Sequence, residues 1–178
     1  MKEHKIGIVI LVLFFNLCLA FTNSVAYGAP IPVAIENNDL PFSISYPSSW
    51  YICKESYGNT QSYFITREQI RTPTDQFLVG ITVIFLKDKL LGLDWNNVKN
   101  NQISAYKSQG LEMNDINIST ISGYSAFAFL IRGSRSKMFI AYVKKGNDLI
   151  NVIQESPSPE WDNYEGSFKD NLSTLYFK

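Results

Sequence analysis

An α+β fold, with an antiparallel β-sheet sandwiched between helices, is predicted by three features of this sequence. Short runs that alternate apolar and polar residues recur through most of the chain, the mark of half-buried strands. Tight-turn signals separate them at Gly58-Asn59, Ser122-Gly123, Gly133-Ser134 and Gly146-Asn147, and short turns of this kind join neighbouring strands antiparallel. Two segments, 94–110 and 158–172, change instead to the three-to-four-residue period of a helix.

Taken in order, Phe42-Ser43-Ile44-Ser45-Tyr46 alternates as a strand, Pro47-Ser48-Ser49 turns the chain, and Trp50-Tyr51-Ile52-Cys53 resumes extended. Residues 62–66 read as a strand with Tyr63 and Ile65 on one face and Phe64 on the other. Residues 67–76 are polar, contain Thr72-Pro73 and read as a loop. Residues 78–86 are nearly all apolar and rich in Val and Ile, which suits a central strand covered on both faces. Asp94 then caps a helix, with Leu93 placed to pack on Val98 as a hydrophobic staple. Trp95, Val98, Ile103 and Tyr106 share its core face, and Gly110 supplies the left-handed residue that ends it. Residues 113–121 form a strand with Ile116 and Ile118 on one face and Ile121 beyond. Residues 124–132, 137–144 and 148–154 continue it as an antiparallel meander. Ser156-Pro157-Ser158-Pro159 stops the sheet, and Ser158 caps a second helix with Pro159 at its first position. Trp161, Tyr164, Phe168 and Leu172 fall on one helical face, to be laid on the sheet.

The chain begins as an export signal does. Lys2 and Lys5 precede an uninterrupted apolar run over residues 6–15, and Ser24-Val25-Ala26 offers small residues for cleavage. Ala20 and Ala29 are alternative cleavage sites, and an uncleaved anchor reaching Phe21 is the competing reading. A lipid anchor on Cys18 is disfavoured, because Phe15-Asn16-Leu17 lacks the small residue such sites want. The expected organisation is a signal peptide over 1–26, a linker over 27–38 carrying Ala29-Pro30-Ile31-Pro32, and a single domain over 39–178. Of 178 residues, 46% are hydrophobic and 16 Lys+Arg meet 16 Asp+Glu. That apolar, charge-balanced composition excludes wholesale disorder and a strongly basic nucleic-acid binder.

Cleavage after Ala26 removes His4 and Cys18, leaving no histidine and only Cys53 as a cysteine. Without imidazole there is no Ser-His-Asp or Cys-His catalysis and no proximal-histidine haem. A lone cysteine builds neither an ordinary zinc site nor an internal disulfide. Cys53, beside Trp50, Tyr51 and Ile52, reads as a buried structural thiol, with a reactive thiol as the alternative. No catalytic, cofactor-binding or metal-ligating set is expected. Glu160, Asp162 and Glu165 open the last helix and offset its dipole, and their spacing matches no calcium loop. Asp88 between Lys87 and Lys89 reads as a solvated loop. Asn117-Ile118-Ser119 and Asn171-Leu172-Ser173 are formal glycosylation acceptors in a eukaryotic secretory host. Arg132, Arg135 and Lys137 cluster about a turn and are the candidate partner-binding residues, for an anionic partner or a lipid head group. The loop 67–76 is the other candidate surface.

Phe42-x-x-x-Tyr46-Pro47-x-x-Trp50 resembles the opening of PsbP-like domains, and so does the later layout of long apolar strand, helix, meander and a last helix carrying Ser167-Phe168. The resemblance implies an α-β-α sandwich. The family includes an extrinsic lumenal subunit of photosystem II that helps retain calcium and chloride, and relatives range from a nuclear Ran-release factor to exported bacterial proteins. The mature chain has none of the histidines that the photosystem subunit uses in metal-related contacts. The expected function is therefore an exported, non-catalytic accessory or binding domain whose partner is another protein or an envelope component. It would lie in the periplasm or outside the cell, or in the thylakoid lumen of a photosynthetic host, touching membrane only through an uncleaved signal. A photosystem II accessory role in ion retention, and an enzyme using carboxylates or Cys53, are the alternatives.

Overall fold

The computed structural model describes residues 33–34, 37–70 and 78–178. The expected signal peptide, most of the linker and residues 71–77 lie outside them. The elements are β1 (Val33–Ala34), β2 (Phe42–Ser43), β3 (Tyr51–Tyr57), β4 (Thr60–Thr66), β5 (Gly80–Leu86), α1 (Trp95–Ser108), β6 (Glu112–Ile116), β7 (Thr120–Ile121), β8 (Tyr124–Arg132), β9 (Ser136–Lys145), β10 (Asp148–Pro157), α2 (Trp161–Thr174) and β11 (Tyr176–Phe177). Nine strands make one sheet in the order β1-β3-β4-β5-β10-β9-β8-β6, with β7 also on β8, and β2 and β11 form a separate ribbon. Every pairing is antiparallel.

Because side chains alternate along each strand, the sheet presents two apolar faces. Tyr63, Ile65, Ile81, Val83, Phe139, Ala141, Val143 and Val152 form one core with Trp161, Phe168 and Leu172 of α2. The ribbon closes that core with Phe42 and Phe177. Ile84, Leu86, Phe127, Phe129, Ile140 and Tyr142 form the other with Val98 and Tyr106 of α1. Aromatic contacts tie each helix down: Trp161 meets Phe139 with ring centres 4.9 Å apart, and Trp95 meets Phe127 at 4.8 Å.

The long apolar segment is the central strand β5, between β4 and β10. Asp94 caps α1, its carboxylate accepting from the Asn97 N–H at 3.0 Å. Gly110, at φ +71°, ends the helix in the left-handed conformation that glycine adopts without a Cβ clash. Cys53 is buried.

Five local expectations need correction. Only Phe42–Ser43 of the expected 42–46 strand pairs, and it pairs with β11, which the short tail after α2 did not announce. The expected strand over 113–121 is broken into β6 and β7 by a tight turn in which the Ile118 N–H bonds the Ile116 carbonyl at 2.7 Å. That interruption returns Ile121 to the same core as Ile116 and Ile118 despite its odd spacing. Ser156 and Pro157 do not stop the sheet: β10 runs through Pro157, opposite Ser136. Ser158 makes no side-chain cap, because residues 158–160 form a single 3₁₀ turn before α2. Leu93 stays exposed instead of stapling Val98; Leu90 takes the inward place in that core.

Candidate functional site

The strand directions gather several chain segments at one end of the sheet: the close of β4, β8 and β10 and the start of β5, β6, β9 and α2. Arg67, just past β4, is the hub. Its Nε donates to Glu68 Oε1 at 2.7 Å, and its Nη1 donates to Glu160 Oε2 at 2.5 Å and to the Tyr164 hydroxyl at 3.1 Å. Glu160 first, then Glu68, raise the guanidinium pKa further above its already high ordinary value. Glu68 Oε2 accepts the N–H groups of Leu78 and Val79 at 3.0 and 3.2 Å, so both flanks of the 67–79 segment are tied together. Burial works against the Glu68 charge, but Arg67 and these two N–H groups outweigh it and hold its pKa below the ordinary value. Trp50 follows a turn in which its N–H bonds the Pro47 carbonyl at 3.0 Å, and its ring lies 6.2 Å from that of Tyr164. The Tyr-Pro-x-x-Trp segment thus seals this end of the first core.

The three basic residues read from the sequence lie at the same end in three different situations. Arg132 sits directly opposite Lys137 and is paired through Nη1 with Glu112 Oε1 at 2.7 Å. Lys137 adds to the attraction that keeps Glu165 ionised, after the larger effects of Lys169 and Trp161. Arg135 is exposed; its carbonyl accepts the Ser158 N–H at 2.9 Å, and its guanidinium has no partner among the described residues. The Arg135 turn and the Arg67 hub therefore meet on the same short segment, Ser158–Glu160. The sequence carried no signal of this, since Arg67 and Glu160 are 93 positions apart.

Two polar side chains of β10, half-buried Glu155 and buried Gln154, also escaped the sequence reading. Glu155 faces Gly80 on one side and Met138 on the other, and burial pushes its carboxyl up to about 7. Gln154 is wholly buried and its amide atoms have no partner among the described residues, a desolvation cost of order 1–3 kcal/mol. Tyr142, deep in the second core, bonds the Tyr106 hydroxyl at 2.6 Å and Gln102 Oε1 at 3.0 Å. Burial first, and Tyr106 second, push its pKa well up. The Cys53 thiol is 3% exposed and lies 3.5 Å from the Ile70 carbonyl, and burial outweighs that bond to raise its pKa. A raised thiol pKa means little thiolate at neutral pH, so this sulfur is a poor nucleophile. Among the described residues no three His, Cys, Asp or Glu side chains are grouped to hold a metal ion. No helix of the described residues is long and apolar enough to cross a membrane.

No family model matches the chain, and no curated protein matches it in sequence. Among solved structures it is similar to cyanobacterial PsbP (CyanoP) from Synechocystis sp. PCC 6803, with a TM-score of 0.50 and 14% identity over 88% of this chain and 98% of that one. It is also similar to PA94, a protein of unknown function from Pseudomonas aeruginosa, with a TM-score of 0.47 and 12% identity over 83% of this chain and 98% of that one. The likeness to the cyanobacterial protein agrees with the layout of a large antiparallel sheet and two helices.

Proposed function

From the premise that the fold is PsbP-like, we propose that this chain is an exported, non-catalytic accessory domain, a full α-β-α sandwich that works by holding another protein or an envelope component. Residues 1–26 act as its signal peptide and deliver it to the periplasm or the cell exterior, or to the thylakoid lumen of a photosynthetic host. Fold likeness alone carries no partner across from a relative, so the working surface is argued from the residues. The observation that carries the reading is the convergence of Arg67 and Arg135 on Ser158–Glu160. Ion pairs and backbone bonds hold that end in one shape, and the exposed Arg135 supplies a cation with five donors for an anionic group on a partner. The chemistry favours binding over turnover, since the Cys53 thiol is buried and its proton is held.

The test is site-specific photo-crosslinking in the native host, with the photoreactive residue at exposed Ser134 and a control at exposed Asn100. The expected result is a discrete adduct at Ser134, absent at Asn100 and weakened several-fold by Arg135→Glu. The same adduct at both positions, or none at Ser134 while the purified chain turns over a substrate, overturns the proposal. Amino-terminal sequencing of the envelope form, expected to start after Ala20, Ala26 or Ala29, checks export separately.

A further inference from the structure

Polar side chains deep in a protein interior almost always find a partner, because an amide or hydroxyl stripped of water and left unpaired costs stability. Among the described residues three buried side-chain atoms lack one, and all belong to β10: Asn151 Oδ1 and both amide atoms of Gln154. Gln154 is the sharper case. It is fully enclosed, with 0% of its surface exposed. Its unmet groups are a donor and an acceptor together, so turning the amide over satisfies neither.

The surroundings explain why no side chain meets it. Gln154 shares its sheet face with Ile150 and Val152, and so lies in the first core. Its neighbours across the ladder are Ile81 and Phe139, both buried and apolar. Trp161 packs on Phe139, and its indole N–H is already given to Glu165 Oε2 at 3.0 Å. Lys137, on β9 opposite Ser156, acts on Glu165 of α2. Ser156 itself is the next position on the Gln154 face and is also 0% exposed. Its hydroxyl reaches the Pro157 carbonyl only at 3.4 Å, beyond the usual range for an O–H donor. Two poorly satisfied polar groups therefore stand next to each other on one face of one strand, with apolar side chains on either side of Gln154.

Burial decides what can pair with them. Nothing large reaches an amide with no exposed surface, and Ile81, Phe139 and Val152 offer an ion no countercharge. A water molecule is small enough to enter as the fold breathes, and it donates and accepts at once, as the Gln154 amide requires. We propose that Gln154 holds an internal water molecule, shared with the Ser156 hydroxyl. The bound water is a structural part of β10 where the strand runs on into Ser158–Glu160, the segment that meets Arg67 and Arg135. Such a site requires neither export nor a partner.

The experiment is magnetic relaxation dispersion of the water oxygen on the full chain, which detects water held for longer than the tumbling time. Gln154→Met, a side chain of nearly equal volume, should lose the equivalent of one long-lived water molecule relative to the parent chain. Cross-relaxation between water and the Gln154 side-chain NH2 protons should place that molecule at the amide, and Ser156→Ala should weaken it several-fold. In urea melts the folding constant of Gln154→Met should not rise. An amide without water predicts the opposite: the substitution would then remove an unmet cost and raise the folding constant at least about fivefold. Equal dispersion in the parent chain and Gln154→Met, that gain in stability, or no cross-relaxation at Gln154 in the parent chain overturns the proposal; undiminished cross-relaxation in Ser156→Ala overturns the sharing. The cross-relaxation of the parent chain needs no variant and decides the matter even if Gln154→Met does not fold. None of these outcomes bears on crosslinking at Ser134, so the two readings stand or fall separately.

Discussion

Ionising Glu155 costs the folded chain more than the unfolded one. Its carboxyl lies on a sheet face between Gly80 and Met138, and burial moves its pKa from the ordinary 4.5 to about 7. The folded state thus binds the proton more tightly, and stability falls as pH rises from below 4.5 through about 7, then levels off. Glu68 has the opposite sign: its lowered pKa contributes stability above the ordinary value that is lost as pH falls. Glu155→Gln keeps the shape and removes the charge. It should leave stability nearly unchanged in mild acid and raise it by up to about 3 kcal/mol at about pH 8. Urea melts of both proteins at the two pH values test this; an equal difference at both would mean that the charge is not the cause. Neither glutamate was legible in the sequence as a special residue. The β10 pattern was expected to end at Gln154, which left Glu155 outside the strand, and Glu68 sat in the loop 67–76, which read as a candidate surface but gave this carboxylate no role of its own. Cys53 was legible, because a thiol among Trp50, Tyr51 and Ile52 has apolar company whatever the topology.

At the scale of elements, what the sequence announced was whatever repeats locally. The stripe of Trp95, Val98, Ile103 and Tyr106 became the buried face of α1, and Trp161, Tyr164, Phe168 and Leu172 that of α2. The Gly-Asn turns also held, with Gly58 at φ +54° and Gly146 at φ +64° in the first central position of their hairpins. The β2–β11 ribbon was hidden because two-residue strands leave no alternation to read and their partners are at opposite ends of the domain. The break between β6 and β7 was hidden because β8 pairs with both pieces, so the apolar pattern continues across it. Asp94 provides the element-scale prediction. Its carboxylate satisfies one N–H that the helix cannot, so Asp94→Ala should destabilise the domain by about 1 kcal/mol and Asp94→Asn by much less. Thermal melts check the size. Amide exchange checks the place, since the Ala variant should lose protection in the first turn of α1 before the sheet. Leu93→Ala should do little, as its staple is not made.

On the scale of the whole molecule, the sheet consists of two local blocks, β3-β4-β5 and β8-β9-β10, joined where β5 lies against β10. The second block is a run of tight hairpins and was legible in the sequence as a meander; in the first, the strands and the Gly58-Asn59 turn were legible but not the pairing of β4 with β5 across residues 67–79. The seam was not legible: Gly80 pairs with Glu155 and Leu86 with Leu149 across α1 and the whole second block, and no local signal specifies a partner so distant. The same lack of long-range signal concealed the meeting of Arg67 with Glu160. That division has a kinetic consequence. Closing a hairpin orders few residues, whereas forming the seam must first bear the closure entropy of the long intervening chain. The second block has the longer strands, two of ten residues and one of nine, and packs the rings of Phe127, Phe129 and Tyr142 on one another. It is the better nucleus, with β5 adding later. Ile140→Val in β9 and Ile81→Val in β5 each remove one buried methylene, at a cost of about 0.5–1.5 kcal/mol. Stopped-flow folding should then separate them. The Ile140 variant should lose its stability mainly through slower folding, and the Ile81 variant mainly through faster unfolding. If Ile81→Val slows folding as much as Ile140→Val does, the seam forms in the transition state and the sheet condenses as one unit.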